Sequence, residues 1–314
     1  MHEPNQYTYP RYLSSKATVD ARALNHHVWT QFLDGITSAA SGPLQLLEVG
    51  GGVGATTQRI VEALEARSVE SVQYILVDIE PQNIEAAASS LREWAEVRGY
   101  SVSGQNVQEW RGEALNVELQ LVTADLFEVE RHVNRRTFDA VVGQAVLDII
   151  DAPQALQTLR PLLRPGGLWY LPIHFDGMTT FEPTLDASLD ATIERLYHDS
   201  MARSGDEEGS TDGSQCGRRL LTTLQDQGDT LVAAGASDWV VFGQNGEYPA
   251  DEAYFLHHIL QFVEKELSGH PDLAPDRFDN WVMKRRRQVA NGELIYIAHQ
   301  LDVLAQTGAR KDTE

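Results

Sequence analysis

Hydrophobic positions along this chain gather into short apolar runs at Leu44–Val49, Val72–Val77, Leu119–Thr123, Phe138–Val142 and Gly167–Ile173. The stretches between most of them carry apolar residues at helical spacing. Short runs bounded by turn residues read as buried strands, and their alternation with amphipathic helices predicts a parallel sheet covered on both faces. Helix starts are marked as well. Thr57–Arg67 follows a glycine turn, and Pro81 opens Gln82–Arg98, where a first-turn proline loses no hydrogen bond. Val107–Trp110 reads as an extra strand or as part of a hairpin. The second half is less regular. It predicts helices at Leu185–Arg203, Arg218–Gln227, Asp251–Leu267 and Pro275–Val289, strands at Trp239–Phe242 and Leu294–Ala298, and a polar mobile loop at Ser204–Gln215. There is no internal repeat. One α/β sheet domain carrying helical insertions is a simpler architecture than two independent domains.

Composition narrows the function more than the fold. A chain of 314 residues that is 42% hydrophobic can bury a sizeable core. Its formal net charge is −21, from 46 acids against 25 bases, and this argues against nucleic acid or any partner held by phosphate neutralisation. Acidity with few lysines also fits a salt-rich cytoplasm. The sole cysteine, Cys216, allows neither an intrachain disulfide nor a cysteine-rich metal site and suits a reducing compartment. No apolar run reaches the ~18 residues that span a bilayer, and the N-terminus lacks a basic-then-apolar signal pattern. A cytoplasmic protein is expected, with no membrane partner.

The chemistry concentrates where the first strand runs into Glu48 and the alternating glycines Gly50, Gly52 and Gly54. Glycines at that spacing make a tight strand-to-helix turn whose backbone N–H groups can face a carboxylate or phosphate. Further polar residues stand at later strand ends: Asp78 after Tyr74-Ile-Leu-Val, Asp125 after Val122-Thr-Ala, and Gln144 after Phe138–Val142. Ligands of open α/β sheets bind outside the carboxyl ends of the strands, so these residues should converge on one cleft. Gly50-Gly-Gly-Val-Gly-Ala55 also satisfies the dinucleotide fingerprint. Against that, Asp78 lies 28 positions after Gly50, farther than the ~20 typical of a ribose acid in NAD proteins.

Taken in order, with Leu162-Leu-Arg-Pro-Gly-Gly167 before the fifth strand, these segments resemble the class I S-adenosylmethionine-dependent methyltransferases. The resemblance covers about Leu44 to Leu304 and implies a Rossmann-like, doubly wound, mostly parallel sheet with helical insertions forming a cap. Residues 1–40 would be a helical lid segment and 41–314 the methyltransferase domain, with insertions at about 176–235 and 249–291. S-adenosyl-L-methionine would be the cofactor. The glycines would pack against its methionyl part, with Glu48 toward the ammonium end. Asp78 would accept from the ribose hydroxyls, Ile79 would lie along the adenine face, Asp125 would accept from the adenine amino group, and Leu126 would be a further cofactor contact. Gln144 would face the sulfonium and the acceptor. An NAD(P)-dependent oxidoreductase is the alternative, and a catalytically inactive cofactor-binding protein a third reading.

Methyl transfer from a sulfonium needs alignment, exclusion of water and, for some acceptors, a base. His174, at the end of the fifth strand, is the best candidate base, and Asp148 is a second catalytic candidate. The strand-four end reads Gly143-Gln-Ala-Val-Leu-Asp148, without the Asp/Asn-Pro-Pro-aromatic signature of amide and exocyclic-amine methyltransferases. This favours a small organic acceptor and leaves oxygen or nitrogen open. Tyr12, His26 and Arg218 are candidate substrate contacts. No spacing supports a metal. Tyr254, His257 and His258 read as a half-buried helix face, and Lys284-Arg-Arg-Arg287 as a solvated helix face or a complement to nearby acids. The helical insertions could also supply a homodimer surface.

Overall fold

Strand β1 (Leu44–Val49) is buried at every position but Gln45 because it lies in the middle of a sheet covered on both faces. It pairs in parallel with β2 (Ser71–Asp78) on one side and β6 (Phe138–Val142) on the other. Beyond β2 comes β5 (Asn116–Thr123), and beyond β6 comes β7 (Leu163–Glu182), both parallel. The computed structural model describes residues 4, 6–38, 42–134, 137–201 and 213–308. Among them the sheet has ten strands, in the order β3-β4-β5-β2-β1-β6-β7-β10-β8, with β9 also on β10. This is the covered parallel sheet that the strand pattern predicts, in the Rossmann-like arrangement that the resemblance implies.

The sheet's edges hold what periodicity did not resolve. Val107–Trp110 falls within β4 (Val107–Arg111), which makes an antiparallel hairpin with β3 (Ser101–Gly104) and extends the sheet beyond β5. On the far side β10 (Ile295–Gln306) runs antiparallel between β7 and β8 (Thr230–Ala236), with β9 (Trp239–Val241) against its first half. Strand β7 is longer than Gly167–Ile173 at both ends. Ile173 has φ +58°, and the β7–β10 pairing shifts register near it, so beyond the end of β6 the strand continues as a ribbon paired with β10 alone.

Three apolar clusters follow from this geometry. Helices α3 (His26–Ser38), α4 (Ala55–Glu65) and α5 (Pro81–Val97) cover one face through Phe32, Ile60 and Leu91. Helices α6 (Ala152–Leu159) and α8 (Cys216–Asp226) cover the other through Leu156 and Leu220. The third cluster joins the protruding ribbon to α7 (Ala187–Met201), α9 (Glu252–Leu267) and α10 (Pro275–Ala290), and takes in Tyr12 and Val19 from α1 (Tyr9–Ser15) and α2 (Ala17–Ala23). Within residues 1–40, therefore, α3 belongs to a layer of the sheet, while α1 and α2 pack with the insertion helices. Of the predicted loop Ser204–Gln215, residues 204–212 lie outside the described residues. None of the described helices is long and apolar enough to cross a membrane.

Candidate active site

Strands β1, β2, β5 and β6 open at their carboxyl ends onto one cleft of about 800 Å³. Its floor is the turn after β1. Gly50 and Gly54 have φ of +63° and +85°, left-handed values that side chains rarely adopt. A Cβ on Gly50 would stand 2.6 Å from Val146 Cγ2, and one on Gly54 2.7 Å from Leu91 Cδ1. Gly50 and Gly52 line the cleft, whereas Gly54 packs against α5 and caps α4 without lining it. Sequence spacing could not separate a ligand-facing glycine from one forced by helix packing.

The acids divide by what they already hold. Asp78 accepts from Gly52 N–H at 2.8 Å, Glu80 N–H at 2.9 Å and Asn83 Nδ2 at 3.0 Å, tying the glycine turn to the end of β2. Asp125 accepts from Phe127 N–H at 2.9 Å and caps the short turn Leu126–Arg131. Ile79 and Leu126 line the cleft beside them. Glu48 is buried and accepts from Thr57 Oγ1 at 2.7 Å and Tyr74 Oη at 2.6 Å. Burial raises its pKa from 4.5 to about 7, with those two donors pulling the other way.

That shift makes stability depend on pH. A carboxyl that holds its proton more tightly when folded gives its full contribution below the unfolded pKa and loses it as pH rises through the folded one. Glu48→Gln keeps an acceptor for both hydroxyls but removes the titration. Its stability relative to the parent should therefore improve by about 3 kcal/mol between pH ~4.5 and ~7 and then level off. Urea unfolding across that range measures it, and a pH-independent difference would contradict the assigned shift.

Helices α1 and α2 roof the cleft with Tyr9, Tyr12, Leu13, Lys16 and Asp20. Arg11 Nε pairs with Asp251 at 2.9 Å, and Arg22 grips the buried Glu252 at 2.5 and 2.9 Å. Tyr12 stacks on His258 with ring centroids 4.6 Å apart. Asp20 links three elements: Oδ1 accepts from Trp239 Nε1 at 2.9 Å and Oδ2 from Gln144 Nε2 at 2.8 Å. Gln144 Oε1 in turn accepts from Thr56 Oγ1 at 2.9 Å. Asp20, Trp239 and Phe262 all line the cleft, and sequence reasoning missed their convergence. Asp20 stands 124 positions from Gln144 and 219 from Trp239, separations at which no local pattern can signal contact.

Asp148 also lines the cleft, and its Oδ1 is buried without a hydrogen-bond partner among the described residues. Such an oxygen is costly to leave unpaired, which marks it as a place for a donor. His174 is corrected. It is wholly buried, it does not line the cleft, its Nε2 accepts from Leu147 N–H at 3.3 Å, and its Nδ1 lies 3.2 Å from the Leu171 carbonyl. Burial lowers its pKa. The ring is a neutral brace beneath residues 143–148, with no nitrogen left to take a proton from an acceptor. Two substrate candidates are corrected too. His26 is exposed at the start of α3, away from the cleft lining, and Arg218 is bound to Asp176 at 2.8 Å outside it. His257 is buried with both ring nitrogens unpartnered among the described residues, and burial pushes its pKa down to about 4. Among the described residues no group of three or more His, Cys, Asp or Glu could hold a metal ion.

Residues 47–169 match the family model described as a methyltransferase domain. No curated protein matches the chain in sequence. Among solved structures, a phosphoethanolamine N-methyltransferase 2 of Haemonchus contortus bound to S-adenosyl-L-methionine is 12% identical, with a TM-score of 0.44. The alignment covers 98% of this chain and 59% of that one, so the chain spans less than two thirds of that protein's length. The CurJ carbon methyltransferase is 16% identical over 86% of this chain and 50% of its own, with a TM-score of 0.38. A geranyl diphosphate methyltransferase is 9% identical over 89% and 77%, with a TM-score of 0.41. At such values the likeness does not extend to substrates.

Proposed function

We propose that the chain, whose residues 47–169 match a methyltransferase-domain model, is a class I S-adenosylmethionine-dependent methyltransferase that methylates an oxygen or nitrogen of a small organic molecule in the cytoplasm. The observation supporting this is one cleft that joins a side-chain-free glycine turn to a carboxylate oxygen without a partner among the described residues, beneath a lid. When bound, S-adenosylmethionine supplies a methyl group on a sulfonium, an electrophile that needs no further activation. Gly50 and Gly52 leave room for a ligand's amino-acid tail, with the Glu48 carboxyl near its ammonium. Asp78 and Asp125 offer acceptors to ribose and adenine donors, and Ile79 and Leu126 offer apolar contact.

The acceptor's compartment is the part roofed by Tyr9, Tyr12, Trp239 and Phe262, with Asp148 at its edge. Its aromatic walls exclude water and favour a compact organic body over a nucleic acid, as does the charge of −21. Asp148 accepts a hydrogen bond from the acceptor's reacting N–H or O–H and orients it. The buried Cys216 thiol suits a reducing compartment.

Calorimetry tests the reading directly: S-adenosylhomocysteine should bind and NAD should not. NAD binding without S-adenosylhomocysteine binding would overturn it. Once an acceptor is in hand, Asp148→Asn should raise its KM about tenfold while leaving S-adenosylhomocysteine affinity within about twofold. An unchanged KM would remove Asp148 from the acceptor site.

A further inference from the structure

The cleft's charge is lopsided. Six acids line it, Asp20, Glu48, Asp78, Glu80, Asp125 and Asp148, and Lys16 is the one cation among the described lining residues. Its side chain is only 10% exposed, its Nζ lies 3.2 Å from Asp20 Oδ2, and the ammonium sits 5.5 Å from the centre of the Trp239 ring. A lysine this buried needs a partner. Asp20, however, is a shared acceptor, already taken by Trp239 Nε1 and Gln144 Nε2. An ammonium carries three N–H donors, so this single ion pair leaves Lys16 with donors to spare on the cleft wall.

Its position relative to the glycine turn is fixed from two sides. Leu13, three residues earlier on the lid, would lie 3.1 Å from a Cβ built on Gly52. Asp20 is joined through Gln144 to Thr56 in the first turn of α4, whose amino end carries partial positive charge. Lys16 and that helix start therefore add their fields at one end of the cleft, where Asp20 is already paired with Lys16 and Glu48 already accepts from Thr57 and Tyr74.

Resting on the methyltransferase reading, we propose that Lys16 binds the carboxylate of the cofactor's amino-acid tail and so makes the lid part of the cofactor site. The tail is zwitterionic. Its ammonium has several acids to choose from, whereas its carboxylate has Lys16 as the one full positive charge among the described lining residues, beside the start of α4. Seating the cofactor and closing α1 and α2 are then one event, because the residue that grips the ligand sits between the two roofing helices.

The test compares S-adenosylhomocysteine with its decarboxylated counterpart, which keeps the adenosine and the ammonium, by calorimetry on the full chain. The parent protein should prefer S-adenosylhomocysteine by about tenfold or more, since a charge-assisted pair is at stake. Lys16→Met should erase that preference, weakening S-adenosylhomocysteine about tenfold or more and leaving the decarboxylated compound within about twofold, and Lys16→Arg should restore much of it. Equal weakening of both ligands would mean that Lys16 only latches the lid through Asp20, and unchanged affinity for both would mean it does nothing for binding. Either result overturns the proposal while the methyltransferase reading stands. If the parent protein binds neither ligand, the cofactor reading itself falls.

Discussion

Alanine in place of Asp190 should destabilise the fold by about 3–5 kcal/mol, the cost of leaving a buried charge without its partner. Arg285 is wholly buried on α10. Its guanidinium donates to Asp190 Oδ1 at 3.0 Å, Phe181 O at 2.9 Å, Pro183 O at 2.8 Å and Gln288 Oε1 at 2.9 Å, and it lies 5.2 Å from the centre of the Trp281 ring. Asp190 is the only carboxylate among these partners. It also accepts from Trp281 Nε1 at 2.5 Å and from the Leu185 and Asp186 N–H groups at 2.8 and 3.1 Å. The substitution therefore strands a cation and up to three donors at the junction of α7, α10 and the β7 ribbon. Urea unfolding measures the change, and a loss below about 1 kcal/mol would show that the junction relaxes enough to hydrate Arg285. Asp190→Asn should lose less, because an amide oxygen still serves some of the donors.

That junction also shows where the sequence stops being informative. Lys284-Arg-Arg-Arg287 reads as a solvated face or a complement to nearby acids, and the run divides: Lys284 and Arg287 are exposed, whereas Arg285 is buried to zero accessibility against Asp190. Its partners Phe181, Pro183 and Asp190 lie about a hundred residues earlier, so nothing within one helix of sequence announces them. The β1 and β6 strands and the starts of α4 and α5 were readable because burial on both faces forces an uninterrupted apolar run, and because glycine and proline mark helix starts through backbone geometry. The ribbon of β7 and β10 was readable only in part. Past the end of β6, β7 pairs with β10 alone, and its residues pack against the insertion helices instead of a regular two-sided environment.

The site divides in the same way. Glu48, Gly50, Gly52, Asp78, Asp125 and Gln144 line one cleft, as expected of residues fixed to consecutive strand ends. His174 was misread because a histidine at a strand's carboxyl end can turn toward the ligand or beneath the neighbouring loop. The choice is made by Leu147 N–H and the Leu171 carbonyl, which claim both nitrogens. Arg218 went to Asp176 for a comparable reason: that carboxylate is almost wholly buried and needs a cation. Lid residues Asp20 and Lys16 gain meaning only once Trp239 and Gln144 are brought to them from distant sequence.

Asp78→Ala should weaken S-adenosylhomocysteine binding by about 1–3 kcal/mol, roughly five- to 150-fold, the usual worth of hydrogen bonds to a charged acceptor. The carboxylate has two tasks that the variant removes together. It would accept from the ribose, and it already holds Gly52 N–H, Glu80 N–H and Asn83 Nδ2, so its loss also loosens the turn that receives the amino-acid tail. Asn83→Ala separates these tasks, since it deletes one donor to Oδ1 and leaves both carboxylate oxygens in place. If the ribose contact dominates, Asn83→Ala should change affinity by less than about threefold while Asp78→Ala costs far more. If turn positioning dominates, the two variants should converge. Affinity unchanged within about twofold in Asp78→Ala would move the ribose away from the end of β2, and with it the whole placement of the cofactor along the cleft.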